Sequence, residues 1–373
     1  MIGLYIHIPF CQSRCIYCDF VSSTLSQEWQ AKYLRALEDE MFLRSKEMGE
    51  TVARTIYIGG GTPSQLSPQN LAGLMDALQR HFTWQPDCEF TLEANPDDIT
   101  PAFISCLRDT PVNRISMGIQ STDDSVLRFL RRRHTARQTF DAIGQLQEAG
   151  YENISGDLIY GLPHQSMEMF EGDLKALLQT GIPHLSAYAL QYEPGTPLYQ
   201  MLQQGEIPAE DEEHSLRCYE MLMDFTAQAG MEHYEISNFA RSGYRSRHNS
   251  SYWQGLPYLG LGAGAHSYDG RFIRRANTAN IRTYMEGRHE AETEILGKDE
   301  LYDERVMLGL RTAEGISLQA LEQDFGTDKL LYLLRMAAPH LLRGTLIKKG
   351  EHLVLARKGL FVSDDIISSL MSD

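Results

Sequence analysis

The chain of 373 residues contains no apolar run long enough to cross a bilayer. Its Met1-Ile-Gly start leads straight into strand-like sequence, without the basic n-region, apolar core and small-residue cleavage site of a secretory signal. Positive charge is scarce. The 34 Lys and Arg against 50 Asp and Glu leave a formal charge of −16, which argues against broad nucleic-acid binding, where a basic face supplies most of the affinity. A disulfide framework is also missing. Of the six cysteines, Cys11, Cys15 and Cys18 are clustered while Cys88, Cys106 and Cys218 are scattered, unlike the spacing of a secreted scaffold. Repeats and low-complexity segments are absent too. We expect a soluble cytoplasmic protein with a barrel-sized domain and a smaller one.

What is present is alternation. β-like runs at Leu4–Ile8, Thr55–Ile58, Phe90–Glu93, Arg114–Met117, Ile154–Tyr160, Leu185–Leu190 and His233–Ile236 are separated by amphipathic helical segments. Ser67-Pro68 supplies an N-cap followed by Pro at the first helical position, and Leu71, Leu74, Met75, Leu78 and Phe82 then form one apolar face. Thr135-Ala-Arg-Gln138 reads as a capping box whose helix stops at Gly150. Alternating β and α units predict a parallel sheet with helices outside, either an incomplete barrel or an open doubly wound sheet. In a barrel the working residues lie at the C-terminal ends of strands. Cys11–Cys18, Gly59-Gly60-Gly61-Thr62-Pro63, Glu93-Ala-Asn-Pro96, Gln120 and Asp157 follow the strands in that way, which favours the barrel. From about Asn277 the alternation is lost. Helices at Leu301–Leu310, Leu318–Phe325 and Lys329–Leu341 and a hairpin over Leu346–Leu355 turning at Gly350 predict a winged-helix-like module, so residues 1–276 and 277–373 are expected as two units.

The spacing Cys11-x3-Cys15-x2-Cys18 carries chemistry. Iron–sulfur clusters normally take four Cys ligands, so three thiolates hold a 4Fe–4S cluster with one iron open to a small molecule. The competing reading is structural zinc, with His7 or Asp19 as the fourth ligand, although structural zinc motifs usually bring a second ligand pair.

Tyr5-Ile-His-Ile-Pro-Phe-Cys11, Gly59-Gly-Gly-Thr-Pro63, Glu93-Ala-Asn-Pro96, Arg114-Ile-Ser-Met-Gly-Ile-Gln120 and Asp157-Leu-Ile-Tyr-Gly-Leu-Pro163 occur in this order at barrel-like spacing. Together they resemble the coproporphyrinogen-dehydrogenase-like branch of the radical S-adenosylmethionine (SAM) proteins, over essentially the whole chain. The resemblance implies an α/β fold, an incomplete (β/α)6-type barrel with a C-terminal helical module. It implies a 4Fe–4S cluster on Cys11, Cys15 and Cys18 and SAM on the open iron. The SAM contacts it implies are Tyr5, Tyr17, Gly60, Gly61, Thr62, Glu93, Gln120, Arg132 and Asp157. Arg131 and Arg133 are read as solvated neighbours of Arg132.

Two details bear on the branch. Porphyrinogen-oxidising members carry another Cys two residues after the third cluster Cys, where this chain has Phe20. Further on, His248-Asn249-Ser-Ser-Tyr252-Trp253 matches the H-N-x-x-Y-W pattern of haem-chaperone members. His248 is then the expected haem ligand, imidazole being a standard axial ligand, and His266 is a second candidate. The resemblance thus implies a haem carrier that passes haem to an acceptor hemoprotein, a membrane protein being one such acceptor it allows. The alternative is an oxygen-independent coproporphyrinogen III dehydrogenase. A radical SAM enzyme acting on RNA would need basic surface that the charge balance does not offer.

Overall fold

The computed structural model describes residues 1–24, 27–48, 52–209 and 211–372. Strands β1 (Ile2–Ile8), β2 (Val52–Gly60), β3 (Thr83–Ala94), β4 (Arg114–Gln120), β5 (Asn153–Tyr160) and β6 (His184–Ala189) lie side by side in chain order, each pair parallel. A doubly wound sheet would reverse its strand order at a switch point; this one does not. The barrel expectation holds.

Helices α1 (Gln27–Met48), α2 (Pro68–His81), α3 (Pro101–Arg108), α4 (Asp124–Phe129), α5 (Ala136–Glu148) and α6 (Met167–Gln179) connect these strands. Their starts follow local chemistry. The Ser67 side chain accepts from the Asn70 amide ahead of α2, and the Thr135–Gln138 capping box opens α5. Because a strand alternates its faces, each wall of the barrel has two characters. Leu4, Ile6, Ile8, Ile56, Ile58, Phe90, Leu92, Ile115 and Met117 join the helices in one hydrophobic core. The alternate residues are polar and point the other way, among them Thr55, Tyr57, Glu93, Arg114, Ser116 and Asp157.

The sheet continues beyond these six strands. Helices α7 (Pro197–Gln203) and α8 (Glu212–Gln228) lead to β7 (Glu232–Glu235) and β8 (Asn238–Ala240). Here the structure departs from the expectation that the His233 run is a further β/α unit. β7 pairs antiparallel with β8, which pairs antiparallel with β6, because only Ile236 and Ser237 separate β7 from β8 and no crossover fits between them. The seventh parallel strand is instead β9 (Tyr258–Leu261), against the other side of β1 and following α9 (Arg247–Trp253). Its Gly260-rich sequence hides the strand signal. Antiparallel β10 (His266–Tyr268), β11 (Ile273–Asn277) and β12 (Ala291–Ile295) extend that edge.

Helices Lys298–Leu310, Leu318–Phe325 and Thr327–Arg343 follow, then the hairpin β14 (Leu346–Lys349) and β15 (His352–Leu355), joined by β13 (Ile316–Ser317). They enclose a second core running from Tyr302 to Leu370. The turn after the first of these helices covers the β7 edge, through Ile236 N–H to Arg311 O at 3.0 Å and Ala313 N–H to Tyr234 O at 3.0 Å. Among the described residues no helix is long and apolar enough to cross a membrane.

Candidate functional site

The loop after β1 is pinned at its neck and its middle. Cys11 N–H donates to Ser23 O at 2.9 Å and Ser23 N–H to Pro9 O at 2.7 Å. Ile16, 1% exposed, packs with Val126, Leu130 and Leu198, and the Leu198 amide donates to its carbonyl at 2.9 Å. Cys11, Cys15 and Cys18 are half-buried and free of disulfides. Burial pushes the Cys11 and Cys18 thiols up. Thr62 Oγ1 lies 3.5 Å from Cys11 Sγ and Arg132 Nη1 3.4 Å from Cys15 Sγ.

Three free thiols on one short loop are a donor set that a cluster can use; among the described residues no three His, Cys, Asp or Glu side chains form a ready-made site for a single metal ion. His7, a candidate fourth zinc ligand, is committed: its Nε2 meets Val21 O at 2.7 Å and its Nδ1 the Tyr5 hydroxyl at 3.0 Å.

The three thiols open into a cavity of about 380 Å³ lined also by Tyr17, Gly60, Gly61, Thr62, Glu93, Gln120, Arg132 and Asp157. A volume of that order, near the low end for ligand pockets of about 300–1,000 Å³, suits one nucleoside-sized ligand. Gly61 N–H donates to Ile8 O and Thr62 N–H to Phe10 O, both at 2.8 Å, which docks the glycine turn onto the exit of β1. Gly60 N–H donates to Glu93 Oε2 at 2.9 Å and the Tyr57 hydroxyl to Glu93 Oε1 at 2.7 Å. Burial pushes the Glu93 carboxyl up. Asp157 is pushed up to about 7, by burial first and by the Glu93 charge second. Gln120 takes a left-handed backbone (φ 68°) where the β4–β5 register shifts. Arg132 Nη2 donates to Asn95 Oδ1 at 2.6 Å and to the Gly118 carbonyl.

Two expected residues lie outside this cavity. Tyr5 is in the lumen wall, its hydroxyl spent on His7. His248 is the second residue of α9, whose first amides are held by Glu89: Arg247 N–H at 2.9 Å and His248 N–H at 2.8 Å. The imidazole is 1% exposed, with Nδ1 at 2.9 Å from Thr55 Oγ1 and Nε2 at 2.8 Å from the Tyr252 hydroxyl. It stacks on Tyr57 at 5.2 Å, and burial pushes its pKa down to about 3, so the ring is neutral. As placed, neither nitrogen is open to iron. Its neighbour Asn249 does line the cavity, and His266 is exposed on β10.

Arg133 is a correction. Instead of being solvated it pairs with Asp97 and Asp98 at 3.0 Å each, because the turn after β3 brings both carboxylates beneath it. Sequence reasoning also passed over Tyr57 and Arg114, both cavity-lining. Arg114 is 1% exposed, and its Nε finds no hydrogen-bond partner among the described residues. The available signal was a charged residue alternating with Ser116, Gly118 and Gln120 on one strand face.

Comparison with known proteins defines the class. The Radical SAM superfamily model matches residues 5–177 and the HemN C-terminal domain model residues 296–362. The solved coproporphyrinogen III oxidase (HemN) of Escherichia coli, described as a radical SAM enzyme, superposes with a TM-score of 0.88 over 100% of this chain and 90% of that one. At 24% identity this is a likeness of fold. Relatives named heme chaperone HemW are 34% identical in Bacillus subtilis over 100% of both chains, and 38% identical in Lactococcus lactis over 86% of this chain and 84% of the relative. Fold and domains are those of a radical SAM protein with a HemN-type C-terminal domain. The chain belongs to the HemW family of that superfamily.

Proposed function

We propose that the chain is a haem chaperone that binds haem, passes it to an acceptor hemoprotein, and carries a 4Fe–4S cluster on Cys11, Cys15 and Cys18 with SAM on the open iron. The whole-length likeness to proteins named heme chaperone is the observation that carries this reading. Phe20, at the cavity mouth where porphyrinogen-oxidising members have a cysteine, supports it over the dehydrogenase. A cluster of this type, when bound, supplies an electron to the sulfonium of SAM. The chain's own residues would hold that ligand: the Gly60–Thr62 turn at its methionyl part, and Glu93, Gln120 and Asp157 at its amino and hydroxyl groups, with Tyr17 flanking. Arg132 lies where a ligand carboxylate can pair with it. Unpaired thiols and an oxygen-sensitive cluster suit a reducing cytoplasm.

The deciding experiment is anaerobic reconstitution followed, on one sample, by haem titration and a coproporphyrinogen III decarboxylation assay with SAM and reductant. We expect haem binding and little protoporphyrinogen. Turnover matching a true dehydrogenase run alongside would replace the chaperone reading with the enzymatic one.

For His248 to serve as the haem ligand, Nε2 must leave Tyr252 or Nδ1 must leave Thr55. Tyr252→Phe removes one of these bonds beforehand, so it should bind haem at least as tightly as the parent. His248→Ala should weaken haem binding and move the Soret band at unchanged iron content. An unaltered spectrum in folded His248→Ala would transfer the role to another group, His266 being the next to test.

Asp157 makes SAM-site affinity pH-dependent. Its free carboxyl, near 7, accepts a ligand's hydrogen bonds at both oxygens only when ionised, so below about pH 7 binding in that form releases a proton. Affinity for S-adenosylhomocysteine should therefore rise up to ~10-fold per pH unit towards pH 7 and level off above it. Asp157→Asn should bind more weakly and flatten the profile. Equilibrium dialysis checks both, and a parent profile flat from pH 5.5 to 8 would remove Asp157 from the site.

A further inference from the structure

Two hydrogen-bond donors on the cavity lining have no partner. Arg114 opens β4 and is 1% exposed, and its guanidinium makes neither an ion pair nor a hydrogen bond among the described residues. Asn249, which follows His248 in the H-N-x-x-Y-W motif, lines the same cavity. Its backbone N–H donates to Ser246 Oγ at 3.2 Å, while its side-chain amide has no partner among the described residues. We propose that Arg114 and Asn249 form a carboxylate-binding subsite on the cavity floor, for a short-chain organic acid separate from SAM. This rests on the proposed function only in placing SAM at the thiol end.

Depth separates the two ligands. Arg114, Ser116, Gly118 and Gln120 share one face of β4, and at ~3.3 Å per residue the first lies about 20 Å along the strand from the last. The thiols, the Gly60 turn and Arg132 belong to the C-terminal strand ends, where Arg132 stands ready for SAM's own carboxylate. α9 carries Asn249 to the other end. Glu89 holds the first amides of this helix, and Thr55 and Tyr252 fix the neighbouring His248. Burial first and the Arg114 charge second push the His248 pKa down, which puts the guanidinium near the start of α9. A buried charge without a partner is costly, and the carboxylates in the cavity are already occupied. Glu93 receives Tyr57 and Gly60, and Asp157 receives Ser116 at 3.5 Å. An arriving carboxylate offers two oxygens to the planar fork of Arg114, and Asn249 can donate to one of them. With SAM at the thiol end of a cavity of about 380 Å³, the remaining space suits an acid of only a few carbons.

The test uses the anaerobically reconstituted full chain, with propionate as the probe and propionamide as its neutral twin, both at fixed ionic strength. Propionate should raise the thermal unfolding midpoint as its concentration rises, as a ligand of the folded state must. Propionamide should need at least about tenfold more for the same shift, since it cannot form the charge-assisted pair. Arg114→Gln should abolish the response, and Asn249→Ala should weaken it several-fold at unchanged iron content. Should Arg114→Gln fail to fold, the contrast of acid with amide and the Asn249→Ala variant still decide. Equal shifts from acid and amide, or an undiminished response in Asn249→Ala, would overturn the subsite. Haem is titrated on the same sample. Displacement of propionate by haem would make the acid one of haem's own side chains and end the case for a separate ligand. If propionate binds as expected and haem does not bind at all, the subsite stands and the chaperone reading alone fails.

Discussion

Reconstituted under argon, the protein should hold about four irons per chain, and Cys11→Ala, Cys15→Ala and Cys18→Ala should each lose them. The three thiols sit on one loop tied at its neck by the Cys11–Ser23 and Ser23–Pro9 backbone bonds and anchored by Ile16, so none can be replaced by another residue moving in. The scattered cysteines cannot substitute. Cys88 and Cys218 are 4% and 0% exposed in the core, and Cys106 lies on α3 behind the barrel wall. Alanine at any of those three should leave iron content intact, and Cys218→Ala should cost stability only, on the order of 1–2 kcal/mol for a small buried side chain. Iron and sulfide analysis with the absorbance near 400 nm reads the outcome. Dependence of iron on two of the scattered cysteines would move the cluster elsewhere in the molecule.

The legible part of this fold was local. Period-two burial, caps such as Ser67 and Thr135, and polar clusters at strand ends all act over a few residues, and they placed β1 to β6 and part of the cavity lining. What escaped depends on partners far along the chain. β9 escaped because its glycines lack strand-forming side chains, and only its pairing with β1 defines it. Tyr57 reads as one more aromatic in a strand until Glu93 and His248 are seen on either side of it. The H-N-x-x-Y-W motif was legible, but whether its imidazole is open was not. That is decided by Thr55, 193 positions earlier in the chain, and by burial that keeps the ring neutral. Arg133 illustrates the same limit, since its two aspartates come from another β/α unit.

The glycine turn gives the sharpest test of how the site is built. Gly60→Ala should destabilise the fold by about 2–6 kcal/mol, combining a strained backbone of about 1–3 kcal/mol with overpacking of about 1–3 kcal/mol. Gly60 has φ 110°, which an L side chain rarely adopts, and a Cβ there would meet His7 Nδ1 and Cε1 at 2.4 Å. His7 has little room to retreat, being held at both nitrogens by Val21 and Tyr5. The Gly60 amide must therefore shift, and with it the 2.9 Å bond to Glu93. S-adenosylhomocysteine affinity should fall by at least about tenfold, roughly the 1.4 kcal/mol of one lost hydrogen bond. Gly144→Ala is the matched control. It lies within α5 with nothing within 4 Å of the added methyl, so it should gain about 0.5–1 kcal/mol from helix propensity and leave affinity unchanged. Thermal unfolding and equilibrium dialysis on the two variants separate a general cost of alanine from the specific demand at Gly60. A Gly60→Ala protein as stable and as tight-binding as the Gly144→Ala control would show that the turn is not what holds Glu93 in place.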